Sequence, residues 1–426
     1  MKNSEVIVSR IRAGEYDDRF LDVYKDANLI EYQKDRYIKA VEAYESCFGE
    51  DDISIYSAPG RSEICGNHTD HQHGRVLASA INLDAIAVVN KTEESIVNII
   101  SDGYELISID LNNLQFAMEE KESTKALIKG VLSGLKDRGY IVGGFNACIT
   151  SDVLIGAGLS SSAAFETLVG TIVSGLYNNM EISPVEIAIV GQYAENKFFG
   201  KPCGLMDQMA CSVGEAIYID FKDATKPIVQ KISLDLDKYG YSLCITDTQG
   251  SHEDLTPDYA AVPWEMNSVA KILGKEVLCD VTMEELIENA QTIREQAGDR
   301  AFIRAIHCIK ENERVDMAVS AINDSEFDKF LGLINESGNS SFKYLQNVYT
   351  GREPSSQKLS VALALSEYIT DGDGATRVHG GGFAGTIQAF VKNEKVLEYK
   401  EKMESVFGVG ACNVLKIRKY GGIQVI

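Results

Sequence analysis

Four clusters in this 426-residue chain combine residue types that can carry chemistry. The first is Gly156-Ala157-Gly158-Leu159-Ser160-Ser161-Ser162-Ala163-Ala164, set between a strand-like and a strongly helical run. Its two glycines let backbone approach a ligand closely. Its hydroxyls sit where the free N–H groups and dipole of a helix start favour an anion such as phosphate. No Gly-Lys-Ser/Thr occurs in the chain, so this is not a Walker A loop, and the third glycine of a dinucleotide turn is missing. An ordinary capped helix entry has the same composition, and that alternative stays open on these residues alone.

The second cluster, Gly380-Gly381-Gly382-Phe383-Ala384-Gly385, formally satisfies G-x-G-x-x-G. A β-like run from Thr386 to Val391 follows it rather than a helix, which is wrong for a dinucleotide fold. It reads as a tight turn or as a backbone wall against a ligand. The third cluster is Pro59-Gly60-Arg61 followed by Gly66-Asn67-His68-Thr69-Asp70-His71-Gln72-His73-Gly74, with three of the six histidines. His68, Asp70, His71 and His73 offer zinc ligands, but H-x-D-H-x-H is no helical pair of ligands. A loop that hydrogen-bonds a polyhydroxylated ligand and a merely solvated loop are the other readings.

The fourth cluster joins Glu195 to Cys203-Gly204-Leu205-Met206-Asp207-Gln208. On a helix opening at Pro184, Glu195 shares a face with Ala188, Gly191 and Phe198. A carboxylate on that stripe is costly unless paired or bound to a metal, which makes Glu195 a magnesium-ligand candidate or half of a buried ion pair. Asp207, between Met206 and Met209, reads as a base or charge partner, or as a helix N-cap.

The elements that must position these residues follow from periodicity and turn chemistry. Helices are expected at 35–49, 122–138 and 160–177, and another opens at the capping sequence Ser183-Pro184-Val185-Glu186. Strands are expected at 53–56, 76–90, 96–100, 106–111 and 144–150, with Asp102-Gly103 as a hairpin signal. Further strands are read at 215–221, 241–247 and 386–391, and helices at 298–323, 325–348, 355–369 and 393–407. Strands and helices mix in both halves, which predicts two α+β domains meeting near residue 220. The seven prolines form no linker, so the junction is expected to be tight.

With 41 Lys+Arg against 63 Asp+Glu, the formal charge is −22. Broad binding to nucleic acid or an anionic membrane needs a basic footprint and is excluded, while one local polyanion site is not. The charged start from Met1 to Phe20 lacks the apolar stretch of a signal peptide, and no uncharged run is long enough to span a membrane. Nine scattered cysteines without C-x-x-C predict free thiols and a cytoplasmic protein.

Together, in order and over roughly residues 50 to 392, the four clusters resemble the GHMP small-molecule kinases, on their galactokinase branch. That resemblance implies a ribosomal protein S5 domain 2-like N-terminal domain (31–220), a ferredoxin-like C-terminal domain (221–426) and an active site in the cleft between them. Residues 1–30 would be an N-terminal extension that resembles nothing in the family. The implied activity is ATP-dependent phosphorylation of a sugar at its C1 hydroxyl, with ATP and Mg²⁺. By position, Arg61 and Asp207 would be catalytic, and Asn67, His68, Thr69, Asp70, Gly204 and Tyr259 would bind the sugar. Gly156, Ala157, Gly158, Leu159, Ser160, Ser161 and Ser162, with Gly381 and Gly382, would bind ATP. Ser162 and Glu195 would hold Mg²⁺. Tyr259 follows from Ser251-His252…Asp258-Tyr259, which resembles the family's His-to-Tyr segment. The implied partners are the sugar and ATP alone, with no nucleic acid or membrane, acting on a monomer.

The chain departs from the family pattern at four places. Asn67 replaces a glutamate that binds the sugar's O6, His71-Gln72 replaces Tyr-Asn, Ala384 replaces glycine, and Val262-Pro263 replaces a basic pair. Asn67 removes a negative charge, which opens galacturonate as an alternative substrate alongside N-acetylgalactosamine. A non-catalytic sugar and ATP sensor is a further alternative.

Overall fold

The computed structural model describes residues 3–49, 51–154, 156, 158–201, 203–223, 226–250 and 255–426. Ala157, Ser251 and His252 therefore lie outside the described residues.

The chain opens with α1 (Asn3–Arg12) and α2 (Asp17–Tyr24), then α3 (Ile30–Phe48). Next come β1 (Ser54–Cys65), β2 (Arg75–Lys91), β3 (Ile96–Ser101), β4 (Ile107–Asp110), α4 (Thr124–Asp137) and β5 (Phe145–Ser151). α5 (Ser161–Asn178) and α6 (Pro184–Tyr193) follow, and α6 widens into a π turn over Ala194–Phe199. α7 (Met206–Val213), β6 (Ala216–Asp220) and β7 (Ile228–Ile232) come next.

The remaining chain forms β8 (Tyr241–Asp247), α8 (Thr256–Ile272), α9 (Met283–Glu288), α10 (Ala290–Ala297), α11 (Asp299–Asn323) and α12 (Phe327–Ser340). It ends with α13 (Lys358–Thr370), β9 (Ala375–Val378), β10 (Thr386–Lys392), α14 (Val396–Phe407), β11 (Cys412–Leu415) and β12 (Ile423–Gln424).

The strands form two sheets. The larger runs β12-β1-β2-β5-β3-β4, with β6 on β2 and β7 on β6; the smaller runs β11-β8-β10-β9. β7, beyond residue 220, still pairs with β6, and the last strand returns to β1. Ile64, Leu77 and Ile81 of the larger sheet share one core with Leu243, Phe330 and Phe390. Each such side chain contributes roughly 1.5–3 kcal/mol when fully buried. That shared core explains why no flexible linker separates the sheets.

Most expected elements are present, and the differences have physical causes. β1 runs through Cys65, well past the expected end at 56, because its residues from Ile55 onward are all buried and can read as a continuous strand. The expected helix over 325–348 ends at Ser340 and widens into a π turn over Ser341–Leu345. α8, unread in the sequence, carries Pro257 in its first turn and tolerates Pro263 inside. The described residues ahead of α3 form the helices α1 and α2, with Phe20 and Tyr24 packed beside Tyr37, Ile86 and Val88. No described helix is long and apolar enough to cross a membrane.

Candidate active site

After β1 the chain turns back through residues 66–74 into β2, and α11 holds that turn. The Gly66 N–H donates to Glu311 Oε1 (3.1 Å), His307 Nε2 donates to the Asn67 carbonyl (2.9 Å), and the Arg75 N–H donates to Asn312 Oδ1 (2.8 Å). His307 and Glu311 are four apart and share one face of α11, and Asn312 follows on the adjoining side, so a single helix holds the whole turn. Thr69 Oγ1 lies within hydrogen-bond reach of the Arg75 and Gly66 carbonyls (2.6 and 2.9 Å), its one proton donated to either, closing the turn on itself. His68, at φ 61°, instead reaches the Gly-rich turn, where Nε2 donates to the Gly381 carbonyl (3.0 Å). Burial lowers its pKa to about 4, so the ring is neutral at pH 7.

Asn67 is buried and fully engaged. Its Nδ2 donates to Glu63 Oε1 (3.0 Å) and to the Gly380 carbonyl (2.7 Å), while Oδ1 accepts from Asn347 Nδ2 (2.8 Å). Glu63 in turn accepts from Arg377 Nη2 (2.7 Å). Burial pushes the Glu63 carboxyl up despite that guanidinium.

At the other side of the cavity, Arg61 Nε and Nη2 each donate to one oxygen of Asp207 (2.8 Å both), a bidentate pair. Arg61 Nη1 donates to the Gly158 carbonyl and its N–H donates to the Leu159 carbonyl (3.1 Å). Ser160 Oγ donates to the second Asp207 oxygen. Burial alone would raise the Asp207 pKa; the charge of Arg61 and the bonds from Arg61 and Ser160 outweigh it and hold the carboxyl below its ordinary value. The arrangement ties β1, the loop before α5 and the first turn of α7 at one point. Asp207 lies inside α7 with Leu205 at the N-cap, so it is not a capping residue.

The loop itself is compressed. Gly158 has φ 66°, and a Cβ there would sit 3.0 Å from Thr386 Oγ1 and 3.3 Å from His379 Nδ1. His379 is buried and lies far below its ordinary pKa, because burial and then Arg61 and Arg377 disfavour its charge. Ser160 caps α5 in the left-handed region, and Ser161 and Ser162 begin the helix behind it.

Glu195 falls in the π turn and is buried. The wider turn keeps this carboxylate facing α5 and α7, a use typical of such bulges at functional sites. Gln208 Nε2 donates to Glu166 Oε2 (3.1 Å) and to Glu195 Oε2 (3.4 Å). Glu166 Oε1 has no hydrogen-bond partner among the described residues. Burial, then Glu195, pushes the Glu166 carboxyl well above its ordinary range. Among the described residues no cation pairs with Glu195, so it is not half of an ion pair.

Arg61, Asn67, His68, Asp70, Asp207 and Tyr259 surround a cavity of about 260 Å³. Gly204 and Gly381 also border it. A Cβ at Gly204 would fall 2.0 Å from Asp70 Oδ2, which is why only glycine lets Asp70 approach α7. Tyr259 Oη donates to the Gly382 carbonyl (2.7 Å). Gly381 and Gly382 thus meet the 66–74 turn and α8, and Thr69 is turned from the cavity. Among the described residues no three His, Cys, Asp or Glu side chains converge to hold a metal, which leaves the zinc reading without support.

Glu63, Glu166, Asn347 and His379 were not singled out in the sequence. Glu63 lies two residues from Arg61 on the same strand face, and Glu166 lies four from Ser162 on the same helix face, so spacing could have found both. Asn347 and His379 come from distant segments and carry no local signal.

These loops and sheets define a GHMP kinase. Residues 126–215 match the model of the GHMP kinases N terminal domain, and residues 42–91 match the galactokinase galactose-binding signature. The galactokinase of Glaesserella parasuis serovar 5 (strain SH0165) is 32% identical over 364 residues, covering 83% of this chain and 89% of that protein. That of Clostridium tetani (strain Massachusetts / E88) is 29% identical over 363 residues, 84% of this chain and 89% of the relative. The chain belongs to the galactokinase family, whose members are ATP-dependent sugar kinases. In fold it is similar to Lactococcus lactis galactokinase complexed with galactose (TM-score 0.77, 24% identity, 90% of this chain and 98% of that one). A mevalonate kinase shares the fold at TM-score 0.60 and 17% identity, covering 86% of this chain and 99% of the other.

Proposed function

We propose that this chain transfers the γ-phosphoryl group of ATP to the C1 hydroxyl of D-galactose, giving α-D-galactose 1-phosphate and ADP. The observation that carries this reading is the bidentate Arg61–Asp207 pair, bonded to Ser160, where the cavity meets the helix-start loop. Phosphoryl transfer needs positioning and charge stabilisation more than covalent help. Asp207 accepts a hydrogen bond from the C1 hydroxyl and aims it at phosphorus. A carboxylate held below its ordinary pKa is a weak base, so it takes the proton late, once the new O–P bond has acidified that hydroxyl. Arg61 keeps Asp207 ionised and steadies charge on the transferring group. Asp70, His68 and Tyr259 border the sugar's hydroxyls, and the 156–162 loop cradles the phosphates with Ser160 to Ser162 at the helix start.

Mg²⁺ fits the oxygens behind that loop. Glu195 is buried with an amide rather than a cation facing it, and the orphan Glu166 oxygen lies nearby. Hard oxygen donors of this kind suit Mg²⁺, and Ser162 with Glu195 would hold it. When bound, Mg²⁺ neutralises phosphate charge. Asn67 spends both amide hydrogens on protein acceptors, so it serves as a wall of the cavity rather than as a donor to the sugar's C6 group. We read the site as lying between two lobes, 31–220 and 221–426, with β7 and β12 of the second completing the larger sheet of the first.

The test is ATP turnover with D-galactose, D-galacturonate and N-acetylgalactosamine. Turnover with galactose as the best acceptor is expected. Binding of galactose and ATP without turnover of any of the three would refute the kinase reading in favour of a sensor.

A further inference from the structure

Two of the acids lining the cavity are matched by guanidinium groups, while among the described residues Asp70 has only His71 beside it at 3.9 Å. Arg61 faces Asp207, and Glu63 faces Arg377. His68 is neutral at pH 7. Lys201 also lines the cavity, and among the described residues its ammonium makes no ion pair or hydrogen bond. Its backbone is nonetheless fixed: the N–H groups of Gly200 and Lys201 both donate to the Glu195 carbonyl (2.8 and 3.1 Å). The fixed main chain holds this exposed lysine at the edge of the cavity while its side chain stays mobile. The charge is felt on both sides of the seam between α5 and α7, where it favours the ionised forms of Glu166 and of Asp207.

The reaction needs such a group. The phosphoryl unit brings negative charge past a pair, Arg61–Asp207, that is neutral as a unit. Behind that pair stand two more acids, Glu166 and Glu195. A compact ammonium on a flexible stem can follow the moving group as a planar guanidinium locked in a bidentate pair cannot.

We propose that Lys201 is a further catalytic residue, its ammonium contacting the oxygens of the transferring phosphoryl group. In the step it assists, the bond from phosphorus to the β–γ bridging oxygen breaks and its electron pair stays on ADP. The bond from phosphorus to the sugar's O1 forms, the C1 hydroxyl proton passes to Asp207, and Lys201 keeps its protons. The inference rests on the galactose kinase reading above.

The experiment compares wild type, Lys201→Met and Lys201→Arg by steady-state kinetics with Mg·ATP and galactose. Wild-type turnover checks the underlying reading separately; if wild type is inactive, both fall. Removing one preorganised donor to transition-state charge costs about 10²–10³-fold when buried, so about 10- to 100-fold is expected in kcat at this exposed site. The KM for galactose should stay within about twofold, because the loss belongs to the transition state. The melting temperature should not move, since Lys201 is exposed and makes no side-chain hydrogen bond or ion pair among the described residues. Lys201→Arg, which keeps the charge, should lose less than Lys201→Met. A Lys201→Met kcat within about twofold of wild type, a loss expressed only in the KM for galactose, or equal loss in both variants would overturn the assignment.

Discussion

Replacing Asn67 with aspartate changes one atom type and should unsettle the whole cavity wall. The Nδ2 group donates to two acceptors that cannot return a proton, Glu63 Oε1 at 3.0 Å and the Gly380 carbonyl at 2.7 Å. Asn67→Asp removes both bonds and faces one carboxylate with another. At an effective dielectric of about 20, two unit charges about 3 Å apart repel by roughly 5 kcal/mol. The protein can escape by protonating one of them. Holding a carboxyl of unperturbed pKa about 3.9 neutral at pH 7 spans about three pKa units at about 1.4 kcal/mol each, so the penalty is capped near 4 kcal/mol. The burial that already pushes Glu63 upward makes that escape the expected one. The sign follows from linkage: a carboxyl whose pKa is raised by folding keeps its stability below the unfolded value and loses it as pH rises through the folded one. Urea melts of wild type and variant between pH 4.5 and 8 measure this. The difference should be small near pH 4.5 and grow to about 3–4 kcal/mol by pH 7. A gap that does not change with pH, or stays below about 1 kcal/mol at pH 7, would refute the contact scheme drawn for Asn67.

Other substitutions test the remaining parts of the site. Asp207→Asn should lower kcat by about 10²–10⁴-fold while nucleotide binding, followed by calorimetry, persists; retained activity would remove Asp207 from its role. Glu195→Gln should raise the Mg²⁺ concentration needed for half-maximal rate by about tenfold or more, and should weaken Mn²⁺ binding seen by electron paramagnetic resonance in the presence of ATP. Asp84, buried between Arg36 and Arg418, is raised by burial but held below its ordinary pKa by those two charges. Asp84→Asn should cost about 3–5 kcal/mol at pH 7. Because a depressed carboxyl contributes its stability above the unfolded pKa and loses it as pH falls through the folded one, the gap between Asp84→Asn and wild type should close in acid, which urea midpoints at pH 7 and pH 3 will show.

The parts of the site that could be read from sequence are those whose geometry is local. The loop at 156–162 can be marked from composition because its glycines precede hydroxyls at a helix start, although an ordinary helix entry reads the same, and Ser160 to Ser162 do stand at the start of α5. Glu195 could be marked as costly from helical spacing alone, yet its setting in a π turn could not, since no residue type specifies that widening. Asn67 shows the limit more sharply. A substitution of amide for acid reads as a change in what the sugar meets, whereas the fold spends that amide on Glu63, Gly380 and Asn347. Two of those partners lie about three hundred residues away, and nothing in the neighbourhood of residue 67 points to them. The helix α8 escaped notice because Pro257 and Pro263 interrupt the pattern from which helices are read, although packing of Val262, Met266 and Val269 pays for the broken bond.

The same contrast bears on how a chain of charge −22 binds a polyanion. Net charge acts over distances longer than the roughly 8 Å screening length at physiological salt only weakly, so the surface acids do little inside the site. What counts there is the state of each group within reach of the phosphates. Asp207 is matched by a guanidinium and Glu63 by another, which leaves on the side of α5 Glu195, with no cation among the described residues, beside a Glu166 carboxyl that burial and Glu195 push toward its neutral form. Two buried acidic side chains sharing one amide, which repel each other's ionisation, are a poor host for ATP alone and a good one for a divalent cation arriving with it, since the cation would favour ionised oxygens on both. Binding should therefore be strongly coupled. Calorimetry with ATP in excess chelator should give an affinity at least about tenfold weaker than with Mg²⁺, and Glu195→Gln should shrink that difference, because removing the acid relieves metal-free ATP while costing Mg·ATP a ligand. Equal affinities with and without Mg²⁺ in the wild-type protein would mean that backbone N–H groups and Lys201 suffice for the phosphates, and that the acids behind α5 serve only the fold.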